Sequence, residues 1–279
     1  MHDQASRMRE LATRARKTSR AQRPLVLTVT SGKGGVGKST VSLNLALALA
    51  GQGVRVLLFD ADANLAGLDI LLGIAPRFRL SNVLRGEREI EEILIRPHSH
   101  LMVLPGSSGE VDYPLLTVER QRQLLEDLRS LNEPYDLLLI DTAAGLSPEI
   151  VTFAVEADEV LVVTTPEPTA VIDAYAMIKV IVGARSDAQI RLLVNGARRP
   201  QDADDAAQKL ALAVAHFLRR ELKCAGVVPF DDAVATAVLR QQPLMQSAPH
   251  SGAALSLGAV ARTIAAELIH STEGRAVAV

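Results

Sequence analysis

A single cysteine, Cys224, stands in this chain of 279 residues, so neither an intramolecular disulfide nor a cysteine metal cluster can form within it. Beside the apolar run Ala225-Gly226-Val227-Val228 it reads as a core residue. No apolar stretch approaches 18 residues, which excludes a transmembrane helix, and no signal-peptide pattern opens the chain. Low-complexity segments, internal repeats and linker-like stretches are also missing, and that favours one large domain over several. Neither charge sign dominates: the net charge is −2, with 48% hydrophobic and 3% aromatic residues. Such a balance fits a soluble cytoplasmic α/β enzyme.

Against these absences stands one glycine-rich loop, Gly32-Lys33-Gly34-Gly35-Val36-Gly37-Lys38-Ser39-Thr40. Its glycines let successive backbone N–H groups turn inward around phosphates, Lys38 can reach the β- and γ-phosphates, and the Ser39 hydroxyl can hold magnesium. The flanks agree. Leu25 to Thr30 reads as a buried β-branched strand and Thr40 to Ala50 as an alanine- and leucine-rich helix, whose N-terminal dipole end faces the loop. Lys33 is surplus to a single nucleotide site, because Lys38 already serves the terminal phosphates and two ammonium groups would compete for one space. A lysine there is more useful in trans.

Two carboxylate-ended strands follow. Val54 to Asp62 ends in Asp60 and Asp62, a spacing that points both to one side if the strand continues. Tyr135 to Gly145 is an apolar run ending in Asp141 and then small residues. Further strands at Glu159–Thr165, Ile190–Asn195 and Cys224–Pro229 alternate with helical segments at Val171–Val182 and Ala206–Leu222. The alternation predicts an α/β fold: a mostly parallel, doubly wound sheet flanked by helices, with ligands at the carboxyl ends of its strands.

The segment Lys33 to Thr40 resembles the deviant Walker A box of the MinD/ParA family of P-loop NTPases, in which two subunits close face to face over two ATP molecules. That resemblance implies a magnesium-dependent ATPase with Lys33 and Lys38 on the phosphates and Gly32, Gly34, Gly35, Val36, Gly37, Ser39 and Thr40 forming the cradle. It assigns Asp62 to polarising the attacking water and sets Asp60 near the magnesium shell. Asp141 matches the Walker B aspartate that holds magnesium through water, and Gly145 the switch loop beyond it. Asn195 is implied as an adenine contact, with the turn Val227-Val228-Pro229-Phe230-Asp231 beside it; hence Pro229 and Asp231 enter the cofactor set. Relatives often carry a basic residue where Gly196 follows Asn195. Glu167 is either a glutamate that touches the nucleotide across the dimer or an exposed loop acid. The lone cysteine argues against the iron–sulfur scaffold ATPases and the nitrogenase iron protein, which need cysteines at the dimer interface.

Residues 1–23 differ in character from the predicted ATPase domain at 24–270. Seven basic residues against Asp3 and Glu10 give the segment a net charge of +5. Ala5, Met8, Ala12 and Ala15 share one helical face, with Asp3 as a candidate N-cap, so the segment reads as a basic amphipathic helix or a basic arm. Asp3-Gln4-Ala5-Ser6-Arg7-Met8-Arg9 resembles the activator motif of the flagellar-number regulators (FlhG, FleN or YlxH) within the family, with Met8 where leucine is usual. The resemblance implies that Asp3, Gln4, Ala5, Met8 and Arg9 dock on the signal-recognition-type GTPase FlhF and stimulate it, while the ATP homodimer restrains the flagellar master transcription regulator. The segment Asp62 to Gly73 resembles the switch segment of the same proteins, departing at Ala63 and Asn64. Gly252 to Ile269 carries only Arg262 as a base and reads as a core helix, not a lipid-binding one; 271–279 reads as a frayed tail. Recruitment to the cell pole or inner-membrane surface is an expectation from resemblance and the basic N-terminal segment alone, and specific nucleic-acid recognition is not expected. The competing readings are a ParA-like DNA- or cargo-partitioning ATPase and a MinD-like division-site ATPase.

Overall fold

The computed structural model describes residues 23–62, 67–107 and 117–277. The expected N-terminal helix, apart from Arg23, and the departures at Ala63 and Asn64 lie outside the described residues.

Eight strands form one sheet in the order β3-β4-β2-β5-β1-β6-β7-β8. They are β1 (Leu25–Ser31), β2 (Val56–Ala61), β3 (Ile95–His98), β4 (Leu101–Leu104), β5 (Leu137–Ala144), β6 (Glu159–Thr164), β7 (Ile190–Ala197) and β8 (Lys223–Pro229). All neighbours run parallel except β3, which pairs antiparallel with β4 at one edge. The fold is thus the mostly parallel, doubly wound sheet that the sequence predicts. The short strands β3 and β4 escape sequence reading because four residues hold too little of a period-2 pattern.

The chain winds outward from β1 in both directions, so β1 sits between β5 and β6 and a crevice opens at the carboxyl ends of these central strands. Helices cover both faces of the sheet. On one face lie α1 (Lys38–Ala50) and α11 (Gly252–Val277). The other carries α5 (Val118–Arg129), α6 (Pro148–Glu156), α7 (Pro168–Ala184) and α8 (Pro200–Ala213). Short helices α2 (Leu68–Leu72), α3 (Leu80–Leu84) and α4 (Ile90–Ile93) follow β2, and α9 (Asp232–Leu239) and α10 (Leu244–Ser247) follow β8.

Strand alternation divides the core into two layers. Leu27, Val29, Leu58, Leu139 and Leu161 join α1 and α11 on one face, while Val26, Phe59, Leu138, Ile140 and Val162 pack with Phe153 and Met177 on the other. Helix α1 is buried almost all round, as its Val41-Ser42-Leu43-Asn44-Leu45-Ala46-Leu47 sequence requires. Leu257, Val260 and Ile264 of α11 are buried against it, which agrees with reading this segment as a core helix.

Three expectations are corrected. The helix expected over Ala206–Leu222 starts earlier, at Pro200, a residue whose fixed φ suits a first helical position, and stops earlier. It passes into a π-helical turn at Val214–Leu218 and ends at Arg219, where φ is +55°. Cys224 is exposed, because β8 is the sheet edge and its first two residues lie beyond the covering helices. Residues 271–277 continue α11 and do not form a separate tail: the segment lacks proline, and one interior glycine costs only about 1 kcal/mol.

Candidate nucleotide site

The glycine loop leaves β1 at the point where the sheet's winding reverses, and Gly37 delivers it to α1. Gly37 has φ +85° and supplies no capping side chain, so the first N–H groups of α1 stay available for an anion. Two glycines here are sterically required. A Cβ on Gly37 would lie 2.4 Å from Asn195 Nδ2, and one on Gly32 would lie 2.1 Å from the Asp173 carbonyl oxygen. The loop encloses a cavity of about 400 Å³ lined by Gly34 to Thr40, with Lys33, Asp62, Ala143 and Ala144 on its walls.

Under the loop lies a buried polar cluster. Lys38 Nζ donates to Asp141 Oδ1 at 3.1 Å, and Ser42 Oγ lies 2.8 Å from the same oxygen. Asp141 is 1% exposed, and its Oδ2 has no hydrogen-bond partner among the described residues. An orphaned carboxylate oxygen beneath the Ser39 turn fits a divalent cation, which Ser39 would bind through its hydroxyl and Asp141 through a water. Asp60 stands opposite Asp141 in the β2–β5 register. Its Oδ2 accepts from Gly67 N at 3.1 Å and Leu68 N at 3.2 Å, and its Oδ1 from Asp62 N at 3.3 Å. Asp60 therefore ties down the start of α2 and the Asp62 backbone. Burial, aided by the charge of Asp141, pushes its pKa up to about 8 against the pull of those N–H donors. Asp60 thus anchors backbone beside Asp141, while Asp62 reaches the cavity wall.

Lys33 sits at the rim, where its ammonium donates to Glu167 Oε2 at 2.9 Å and Thr169 Oγ1 at 3.0 Å. Glu167 is exposed and belongs to a second cleft of about 870 Å³ that shares Gly35 with the phosphate cavity. Thr165, Arg198, Asp202, Lys209 and Phe230 line this cleft, and the Arg198 guanidinium carbon lies 3.8 Å from the centre of the Phe230 ring. Asn195 lies beside the loop, its Nδ2 donating to the Val36 carbonyl at 2.8 Å.

Asp231 does not enter the cleft. Its carboxylate accepts from Ala233 N at 3.0 Å and Ala253 N at 3.1 Å, which caps α9 and joins it to the start of α11 and holds its pKa low. Phe230, between Pro229 and Asp231, is the residue of that turn on the cleft lining. Sequence reasoning missed Ser42, Thr169 and Arg198 as site residues and took Phe230 only as part of the turn beside Asn195. Ser42 was within reach of it, since position i+4 from Lys38 lies on the same helix face.

The family model described as an AAA domain matches residues 25–193, which span the phosphate loop, both carboxylate strands and Glu167. The antiactivator FleN of Pseudomonas aeruginosa is 38% identical over 239 residues, covering 86% of this chain and 85% of the relative. The chain belongs to the MinD/ParA family of P-loop ATPases. Within the family it is also 30% identical to the flagellum site-determining protein YlxH of Helicobacter pylori, over 87% of this chain and 82% of that one. Among solved structures, the septum site-determining protein MinD of Pyrococcus horikoshii, complexed with Mg-ADP, matches with a TM-score of 0.69 and 26% identity, over 86% of this chain and 96% of that one. The chain is thus a MinD-like member of the family close to the flagellar regulators FleN and YlxH. Among the described residues no helix is long and apolar enough to cross a membrane.

Proposed function

We propose that this protein is a magnesium-dependent ATPase that works as a dimerising switch and sets the number or placement of flagella. The observation that carries the reading is the joined pair of cavities around Gly35, with a phosphate cradle at one end and a base-sized cleft at the other, in a chain 38% identical to an antiactivator of flagellar regulation. In this reading the α1 N–H groups, Lys38 and Lys33 neutralise the phosphates, and Asp62 orients the attacking water. Magnesium, when bound, would be held by Ser39 and Asp141 and would supply charge neutralisation on the phosphates. Asn195, Arg198 and Phe230 hold the base and ribose end. Lys33 exchanges the exposed Glu167 pair, worth at most about 1 kcal/mol, for the phosphate of a second subunit, so ATP and dimerisation are coupled.

The two states are then read by partners. Residues Asp3, Gln4, Ala5, Met8 and Arg9 stimulate an FlhF-type GTPase, and the ATP dimer restrains the flagellar master transcription regulator. The protein works in the cytoplasm, with recruitment to the pole or inner-membrane surface following from its partners. The test is GTP hydrolysis by the host's FlhF-type GTPase with the full chain and with a chain lacking residues 1–20. Stimulation by the full chain alone is expected. Equal rates with both would overturn the activator role, and salt-sensitive, ATP-dependent DNA binding in the same preparation would favour a partitioning ATPase.

A further inference from the structure

Ser42 lies one turn beyond Lys38 on α1, is fully buried, and plays no part in the phosphate cradle. Its Oγ is 2.8 Å from Asp141 Oδ1 and 3.0 Å from the Lys38 carbonyl oxygen. A hydroxyl has one proton to donate, and a carboxylate is the stronger acceptor, so the proton belongs to Asp141. Lys38 Nζ shares that same oxygen at 3.1 Å. Asp141 is therefore polarised: Oδ1 receives two donors and Oδ2, equally buried, receives none among the described residues.

The two donors differ in what they are free to do. Lys38 is the phosphate lysine, on a long flexible stem, and a bound nucleotide draws its ammonium toward the phosphates. Ser42 has a one-carbon side chain on a helix packed between the sheet and α11, and it cannot follow. We propose that Ser42 is a positioning residue for the divalent cation: by donating to Asp141 Oδ1 it keeps Oδ2 directed at the cation's water shell after Lys38 has moved to the nucleotide. Without that hydroxyl the carboxylate can rotate, and the cation loses an oriented partner while the phosphate cradle is untouched. The proposal rests on the magnesium-dependent nucleotide-binding reading above. It assigns the hydroxyl a role different from the helix-internal bond to the i−4 carbonyl that a buried serine can make for purely local reasons.

The test uses the full-length chain and its Ser42→Ala and Ser42→Thr variants, with a fluorescent ADP analogue titrated in EDTA and again across a range of Mg2+. In EDTA all three proteins should bind the analogue with affinities within about twofold of one another. The Mg2+ concentration at half-effect should rise about tenfold in Ser42→Ala, as for loss of an outer partner of a metal ligand, and return near the wild-type value in Ser42→Thr. An unchanged Mg2+ midpoint in Ser42→Ala would overturn the proposal. So would an equal loss of affinity with and without Mg2+, because that is the signature of a merely structural serine. If Ser42→Ala does not fold, Ser42→Thr decides alone: it should fold and keep the wild-type Mg2+ midpoint, and a shifted midpoint would overturn the proposal. Absence of any Mg2+ effect in the wild-type protein would instead overturn the reading on which the proposal depends.

Discussion

Lys38 has two roles that pull its substitution in one direction. In the proposed function it reaches for phosphate, and in the ligand-free protein it is the ammonium that compensates Asp141, with both side chains less than a tenth exposed. Lys38→Ala should therefore abolish nucleotide binding and also lower the stability of the nucleotide-free protein, by up to about 3 kcal/mol, since it leaves a buried carboxylate with Ser42 alone. Thermal melting without nucleotide checks the second half. Asp62→Ala is a contrasting change, because Asp62 lines the cavity wall and is not counted among the buried residues. It should melt close to wild type, retain ATP and accumulate as a dimer in sedimentation; a monomer under saturating ATP would contradict the switch mechanism. Phe230 offers a third check at this scale. Phe230→Ala removes the ring against which Arg198 is stacked and should weaken ATP binding several-fold while sparing inorganic phosphate competition.

At the scale of elements, the site depends on register between β2 and β5, because that register sets Asp60 opposite Asp141. The opposite end of the same strand pair is pinned by Arg55 and Asp136. The Arg55 backbone N–H and Nε donate to Asp136 Oδ2 at 2.9 and 3.0 Å, and Nη2 donates to Oδ1 at 2.5 Å. Burial acts to raise the Asp136 pKa, but the bonds from Arg55 outweigh it and hold the carboxyl below its usual value. A carboxylate whose folded pKa is depressed stabilises the fold above the unfolded value, near 3.9, and that contribution is lost as pH falls through the folded value. Asp136→Asn should thus cost about 1 kcal/mol at pH 7, a small figure because the pair is about 40% exposed and solvent screens it. Denaturant melts should show the gap from wild type closing below pH 4. A gap that stays constant with pH would mean that the side-chain charge is irrelevant. The same element logic explains Asp231, which the sequence places in a nucleotide-proximal turn but which the backbone N–H groups at the starts of α9 and α11 claim as a shared cap.

For the whole molecule, the doubly wound sheet brings residues more than a hundred positions apart onto one crevice, among them Lys33 with Glu167 and Lys38 with Asp141. The proposed coupling between nucleotide and dimer is a property at this scale. Replacing Lys33 by alanine should leave monomer ATP affinity within a few-fold, since Lys38 and the α1 N-terminus remain. It should nevertheless reduce ATP-dependent dimer formation at least tenfold in analytical ultracentrifugation. Loss of ATP binding by the monomer would instead make Lys33 an ordinary cradle residue.

Much of this protein is legible without its fold. A phosphate loop is a local object, built from consecutive backbone N–H groups and two nearby side chains, so Gly32 to Thr40 declare themselves in sequence. The parallel sheet is similarly exposed by buried strands alternating with long helices. Tertiary structure decided the rest, because it concerns which distant groups compete for the same partner. Asp60 and Asp62 look equivalent along the chain, yet the N–H groups at the start of α2 claim Asp60 and leave Asp62 on the cavity wall. Cys224 follows an apolar pattern, yet it lies at the sheet's edge and meets solvent. Ser42 is one more small residue in an alanine-rich helix until β5 sets Asp141 beside it. Periodicity and motif spacing encode what neighbouring residues do together; strand order and helix packing determine which charges share a buried space.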